Sequence, residues 1–160
     1  MVPVLLLRSV EVFQGLTDEE LNAIRPLCEE VSIEKEKALF EEHDPADHLY
    51  TLIQGNISLR YSLPSRPTGE ENRVATITEG MTFGWSGLHP KKKYTLTAYC
   101  TEENCKALRI DSKRLGELLD ENHTIGYKVM RNLAKLIGDR FIALQDKIAK
   151  VYGQDAIDGW

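Results

Sequence analysis

The sequence predicts a mainly β domain with flanking helices: a sandwich or barrel of short strands, entered through helical turns and followed by one long helix. Three observations carry that prediction. From about Val31 to Ile110, short apolar alternations are broken by turn residues. Ahead of them stands a capped amphipathic segment. Behind them an apolar stripe recurs at three- and four-residue intervals.

Taken in chain order, Leu5, Val10 and Phe13 allow a turn or two of helix at the start. Thr17 is placed as an N-cap with Glu20 completing a capping box, and Leu21, Ile24, Leu27, Cys28 and Val31 follow at helical spacing. Strands are expected at Ala38–Phe40, Leu49–Ile53, Ile57–Tyr61, Val74–Ile77, Tyr94–Tyr99 and Lys106–Ile110. His43-Asp44-Pro45, Gln54-Gly55-Asn56, Pro64 to Gly69 and Glu79-Gly80 carry turn chemistry, and Gly55 between two apolar runs predicts a hairpin. Asp111 and Ser112 offer an N-cap before Leu115, Leu118 and Leu119. A longer helix then spans about residues 123–152. Its stripe of Met130, Leu133, Ile137, Phe141, Leu144, Ile148 and Val151 suits packing against a second copy. Gly138 weakens its middle by about 1 kcal/mol relative to alanine. Gly153 is expected to end it, leaving a tail over 153–160 in which Trp160 is a candidate partner contact.

A length of 160 residues suits one domain with a real core, so residues 1–152 are read as a single unit. The net charge of -5 argues against a nucleic-acid surface, because Lys and Arg supply most non-specific affinity for phosphates. The few residues after the long helix are too short for a helix-turn-helix, so no direct DNA binding is expected. Cys28, Cys100 and Cys105 are odd in number and form no C-x-x-C pair, which fits reduced thiols and a cytoplasmic protein. The apolar stretch Val2 to Leu7 is interrupted by Pro3 and lacks a basic flank, so neither export nor membrane insertion is expected. His43, His48, His89 and His123 have no metal-ligand spacing, and no nucleophile–base arrangement stands out. No metal, no cofactor and no enzymatic activity are therefore expected.

The chemistry concentrates between Glu79 and Thr95. Gly80, Gly84 and Gly87 with Ser86 let consecutive N–H groups converge on one spot, the geometry of an anion nest, while Lys91, Lys92 and Lys93 supply positive charge. The competing reading makes the glycines turn-formers and the lysines a solvated hairpin tip.

The order of the elements bears on that choice. Leu7-Arg8-Ser9-Val10, Phe13 through Leu21, Phe40 through Asp47, Leu49 through Gly55, Glu79-Gly80 and Phe83-Gly84 together resemble the cyclic nucleotide-binding domain family of bacterial regulators, over about residues 7–150. The resemblance implies a jelly-roll-like β-roll, a double-stranded β-helix at about 31–110. It also implies a phosphate-binding cassette at Phe83 to Thr95 and a closing, dimerising helix at about 123–152. The binding residues it implies are Phe83, Gly84, Trp85, Ser86, Gly87, Lys93, Tyr94 and Thr95, with Arg140 either facing the ligand or standing as an exposed charge on the helix.

Two departures touch the ligand. The family places a glutamate that holds the ribose 2′-hydroxyl directly after Phe-Gly, where this chain has Trp85. The family's phosphate-pairing arginine falls on Lys93, which keeps charge but loses the bidentate fork. Together these changes cost about 2–5 kcal/mol and argue against tight cyclic AMP binding. Trp85 either fills the ribose site or lines the pocket. Glu36 and His43 also stand where the family pattern has glycines, so both must take a positive φ. Two functions follow. One is a regulatory sensor for a small anion, a cyclic nucleotide or another. The other is a degenerate module with a plugged pocket, acting in dimerisation or protein–protein contact.

Overall fold

The computed structural model describes residues 1–158; Gly159 and Trp160, with the partner contact expected of Trp160, lie outside the described residues. The chain enters through helix α1 (Val4–Ser9), a 3₁₀ turn at Glu11–Phe13 and helix α2 (Asp18–Ile24). Thr17 Oγ1 accepts from the Glu20 amide and the Glu20 carboxylate accepts from the Thr17 amide, so the expected capping box forms. The helix expected to continue to Val31 does not. Pro26 has no N–H to donate, so α2 stops at Ile24 and passes through a 3₁₀ turn over Arg25–Leu27. Cys28–Glu34 then becomes strand β1, paired along its length with a late strand.

The strands that follow are β2 (Ala38–Phe40), β3 (His48–Gln54), β4 (Ile57–Arg60), β5 (Arg73–Ile77), β6 (Thr82–Phe83), β7 (Thr97–Cys100) and β8 (Asn104–Asp111). They make two four-stranded antiparallel sheets, ordered β1-β8-β3-β6 and β2-β7-β4-β5. Period-two alternation in β8 sends Cys105 and Ala107 between the sheets and Leu108 and Ile110 out to the helices. The first sheet is therefore covered on both faces. One face meets the second sheet around Phe40, Tyr50, Ile57, Ile77 and Phe83, and the other meets α1, α2 and the C-terminal helices.

No hairpin forms at Gly55. Strands β3 and β4 belong to different sheets, so Gln54–Asn56 is a corner between layers. Gly55 has φ 92°, and a Cβ there would stand 2.9 Å from Cys105 Sγ and 3.2 Å from the Asn104 carbonyl, so the corner needs glycine twice over. Glu36 and His43 take φ 58° and 75°, the left-handed conformation that their glycine-like turns demand.

The cysteines correct a second expectation. Cys100 closes β7 and Cys105 opens β8, and their Cα atoms lie 5.9 Å apart in a disulfide. The short turn between two strands of different sheets brings the pair together, so the argument from three free thiols to a reducing compartment no longer holds. Cys28 is the free thiol, its pKa pushed up to about 12 by burial. Reduction of the bridge is expected to lower stability by about 2 kcal/mol for so short a loop. Denaturant titrations with and without reductant will read this, and coincident curves would show that the link contributes nothing.

Asp111 caps α3 (Ser112–Glu121) by accepting from the Arg114 amide. Helix α4 then runs His123–Asp158 and passes through Gly153, which has no left-handed φ and does not end it. The stripe read from the sequence is mostly not what anchors this helix. Ile125, Val129, Leu133 and Leu136 form the buried seam against the N-terminal helices and α3. Met130, Ile137, Phe141, Leu144, Ile148 and Val151 remain exposed, and of the expected stripe only Leu133 is buried. Polar ties reinforce the seam: Lys128 pairs with Glu20 at 2.7 Å, and Asn132 donates to the carbonyls of Val12 and Gln14.

Candidate functional site

The site grows from β6. Thr82 and Phe83 pair with Thr51 and Tyr50 of β3, and the two threonine hydroxyls share a buried hydrogen bond of 3.0 Å. Gly84 then turns left-handed at φ 74°, ψ 25°, in space bounded by Tyr50, Phe40 and Tyr94; a Cβ would come within 3.1 Å of the Tyr50 ring. This reversal starts a 3₁₀ turn over Trp85–Leu88. The segment is a curved cradle, as its glycines predict.

Aromatic rings hold the cradle from beneath. Phe40 stacks on Tyr94 with centroids 3.8 Å apart, and Tyr50 stacks on both Phe40 and Phe83. The Tyr94 hydroxyl donates to the His48 carbonyl at 2.7 Å, and burial pushes its pKa upward.

Between the cradle, β4, β5 and the middle of α4 lies a cavity of about 540 Å³. Gly84, Trp85, Ser86, Tyr94 and Thr95 line it on the cassette side, and Ile137, Arg140, Phe141, Leu144 and Lys147 on the helix side. Leu59, Ile77 and Met81 are among the residues of its apolar wall. No Asp or Glu is among the lining residues.

Most of the cassette residues offered by the sequence line this cavity, but of its two candidate cations only Arg140 does. Lys93 is exposed, bridges to Pro45 and does not line the cavity. Phe83 is fully buried behind the wall. Gly87 packs against the Ala46 carbonyl and Ser112, facing a second hollow between the cassette turn, α3 and α4.

Lys147 on the same wall is exposed, and the partly buried cation there is Arg140. Its Nη2 donates to the Thr82 carbonyl, and its guanidinium lies over the Trp85 ring, 4.7 Å from the centroid. Nη1 is shielded from solvent and has no partner. Burial lowers its pKa to about 10, opposed by the nearby Glu11 carboxylate, so it remains charged at neutral pH. Glu11 in turn accepts from the Thr82 amide at 3.1 Å, so the backbone of one residue, Thr82, links the N-terminal turn to α4 through its N–H and its carbonyl. Trp85 stands where the resemblance puts the ribose-binding glutamate, and it lines the cavity without closing it. Nothing in local spacing marked Arg140 over Lys93. Only the distance that a helix carries a side chain across the roll decides it.

A profile of the cyclic nucleotide-binding domain matches residues 30–122, more than half of the sequence. The chain belongs to the cyclic nucleotide-binding domain family. A solved Geobacter metallireducens GS-15 protein described as cyclic nucleotide-binding is 30% identical, with 88% of this chain and 99% of that one covered at a TM-score of 0.76. The regulatory domain of Toxoplasma gondii PKA, solved with cAMP, shares the fold at 17% identity and a TM-score of 0.69, over 85% of this chain and 48% of that one. Glutaminase 1 of Bradyrhizobium diazoefficiens is 26% identical over 137 residues, 86% of this chain, and the chain spans only 21% of that protein's length. The cyclic nucleotide-binding fold thus accounts for the roll, the cassette turn and the long helix together. No helix among the described residues is long and apolar enough to cross a membrane.

Proposed function

We propose that this chain is a regulatory sensor domain that docks a small anion between its cassette turn and α4, with cyclic AMP specificity altered or lost. One observation carries the reading: a cavity of about 540 Å³ whose wall holds the guanidinium of Arg140 and no carboxylate. Gly84, Trp85, Ser86, Tyr94 and Thr95 complete the proposed contacts with Arg140. Lys93 is left out because it stands outside the wall. With Trp85 in the glutamate's place, the ribose hydroxyl of a cyclic nucleotide meets no charged acceptor, which forfeits about 1.5–3 kcal/mol.

The proposal makes the domain a binder with no catalytic step. It also has α4 pairing with a second copy. Ile137, Phe141, Leu144, Ile148 and Val151 are each at least 37% exposed along one helix, an apolar strip that water does not favour. The open cavity counts against the alternative in which Trp85 plugs the pocket and only dimerisation or docking remains.

Thermal melts with cyclic AMP, cyclic GMP and a panel of phosphates and carboxylates will test the sensor reading. A cognate anion at a hundredfold excess over its Kd is expected to add about 2.7 kcal/mol, and cyclic AMP far less. A flat response to every anion would overturn it. Sedimentation of the same samples should show a dimer, and a monomer at high concentration would remove the pairing.

A further inference from the structure

The lining of the cavity specifies more than an anion. Eleven of its nineteen residues are aliphatic or aromatic without a polar group suited to pair a buried ligand atom: Phe40, Leu59 and Ile77 on the roll and Ile137, Phe141 and Leu144 on α4 are typical. The polar exceptions are the Thr76 hydroxyl on β5, the Trp85 indole and the Ser86 and Thr95 hydroxyls on the cassette, Tyr94, whose hydroxyl is spent on the His48 carbonyl, and on α4 Arg140 and Lys147, which is exposed and donates to the Arg73 carbonyl at 3.4 Å. A nucleotide would bring ribose hydroxyls and a polar purine edge against walls that are mostly apolar, where each polar atom left unpaired is costly.

The charge balance narrows the class again. Arg140 carries one positive charge, spends Nη2 on the Thr82 carbonyl and one face on Trp85, and leaves Nη1 unpaired. Lys147 is exposed, and water screens its charge, so a dianionic phosphate on Arg140 would leave net negative charge against apolar walls. A carboxylate balances the guanidinium one to one and matches its planar fork.

We infer that the cavity takes an amphipathic monocarboxylate, its apolar body against the β4–β5 wall and α4 and its carboxylate on Arg140. This rests on the sensor reading above and names the class of ligand for the same site. Binding exchanges the Thr82 carbonyl for the carboxylate as the partner of Arg140. It therefore reports directly to α4, which carries this arginine.

Titrations of the full chain in a Trp160→Phe background, where Trp85 is the remaining tryptophan, provide a readout at the site itself. Decanoate and indole-3-acetate separate an aliphatic from an aromatic body; cyclic AMP, AMP and inorganic phosphate are the polar comparison. At least one carboxylate is expected to change Trp85 fluorescence saturably, and decanol is expected to bind at least about tenfold more weakly than decanoate. Arg140→Met keeps the volume and removes the charge, and should weaken the carboxylate by about tenfold to a hundredfold. Should that variant fold poorly, Thr76→Glu places a like charge on an exposed strand position of the same wall and should weaken it as well. Binding of phosphate or a nucleotide with neither carboxylate would overturn this inference and leave the sensor reading standing. Silence from every compound would remove both. Equal carboxylate affinity in wild type and both variants would also overturn the assignment.

Discussion

Replacing Phe83 by alanine is expected to cost about 3–5 kcal/mol of stability, the range for emptying a fully buried aromatic site. Phe83 has no exposed surface and sits 5.7 Å from the Tyr50 ring and 6.1 Å from the Phe40 ring. It is also the last residue before Gly84 reverses the chain, in register with Tyr50. Its loss therefore opens a hole beneath the cradle as well as weakening the core. Denaturant unfolding should show the full cost, and any ligand response of Trp85 should fall with it. A variant that loses less than about 1 kcal/mol would mean that the three remaining rings, Phe40, Tyr50 and Tyr94, close over the gap.

Leu136→Ala should cost about 2–5 kcal/mol, and Phe141→Ala in the isolated chain should cost little. The contrast tests which face of α4 holds the helix. Leu136 is 2% exposed and ends the seam of Ile125, Val129 and Leu133, whereas Phe141 is 59% exposed although it is the larger side chain. Comparable losses at the two positions in dilute solution would mean that Phe141 is covered by a second copy even there. Equilibrium unfolding at two protein concentrations separates that outcome, because only a paired helix makes the midpoint move with concentration.

These contrasts also show where the sequence was readable. Strands with clear alternation, the Thr17 box and the Asp111 cap were visible because their signals are local and chemical. Strand β1 was hidden because Cys28 and Val31 fit helical spacing from Leu21, while the decisive residue was Pro26 and the decisive partner β8 lay some eighty residues away. Strand β6 is too short to carry a period at all. Gly55 announced a turn, but not whether the turn joins two strands of one sheet or steps between sheets. The apolar residues of α4 fall on more than one face, and a linear stripe cannot say which face meets its own domain. In the site, Gly84, Trp85, Ser86, Tyr94 and Thr95 were legible from the cassette pattern, while of the two cations offered, Lys93 by the resemblance and Arg140 on the helix, only Arg140 lines the cavity. Arg140, more than forty residues further on, reaches the same turn because α4 lies across it.

The disposition of α4 past Leu136 has one more consequence. From that residue to Asp158 the helix extends about 33 Å at 1.5 Å per residue. Over that reach it is tied to the roll by a bond from Arg140 to Thr82 and another from Lys147 to Arg73. Side chains from Ile137 to Val151 leave at least a third of their area in water where they are large and apolar. A pivot at Leu136 leaves the buried seam of Ile125, Val129 and Leu133 in place, and a tilt of about 5° carries the far end through about 3 Å by the same geometry. Under the proposed exchange of partners at Arg140, the distal half would act as a lever with its fulcrum in the core, and a change at one guanidinium would become displacement at the tip.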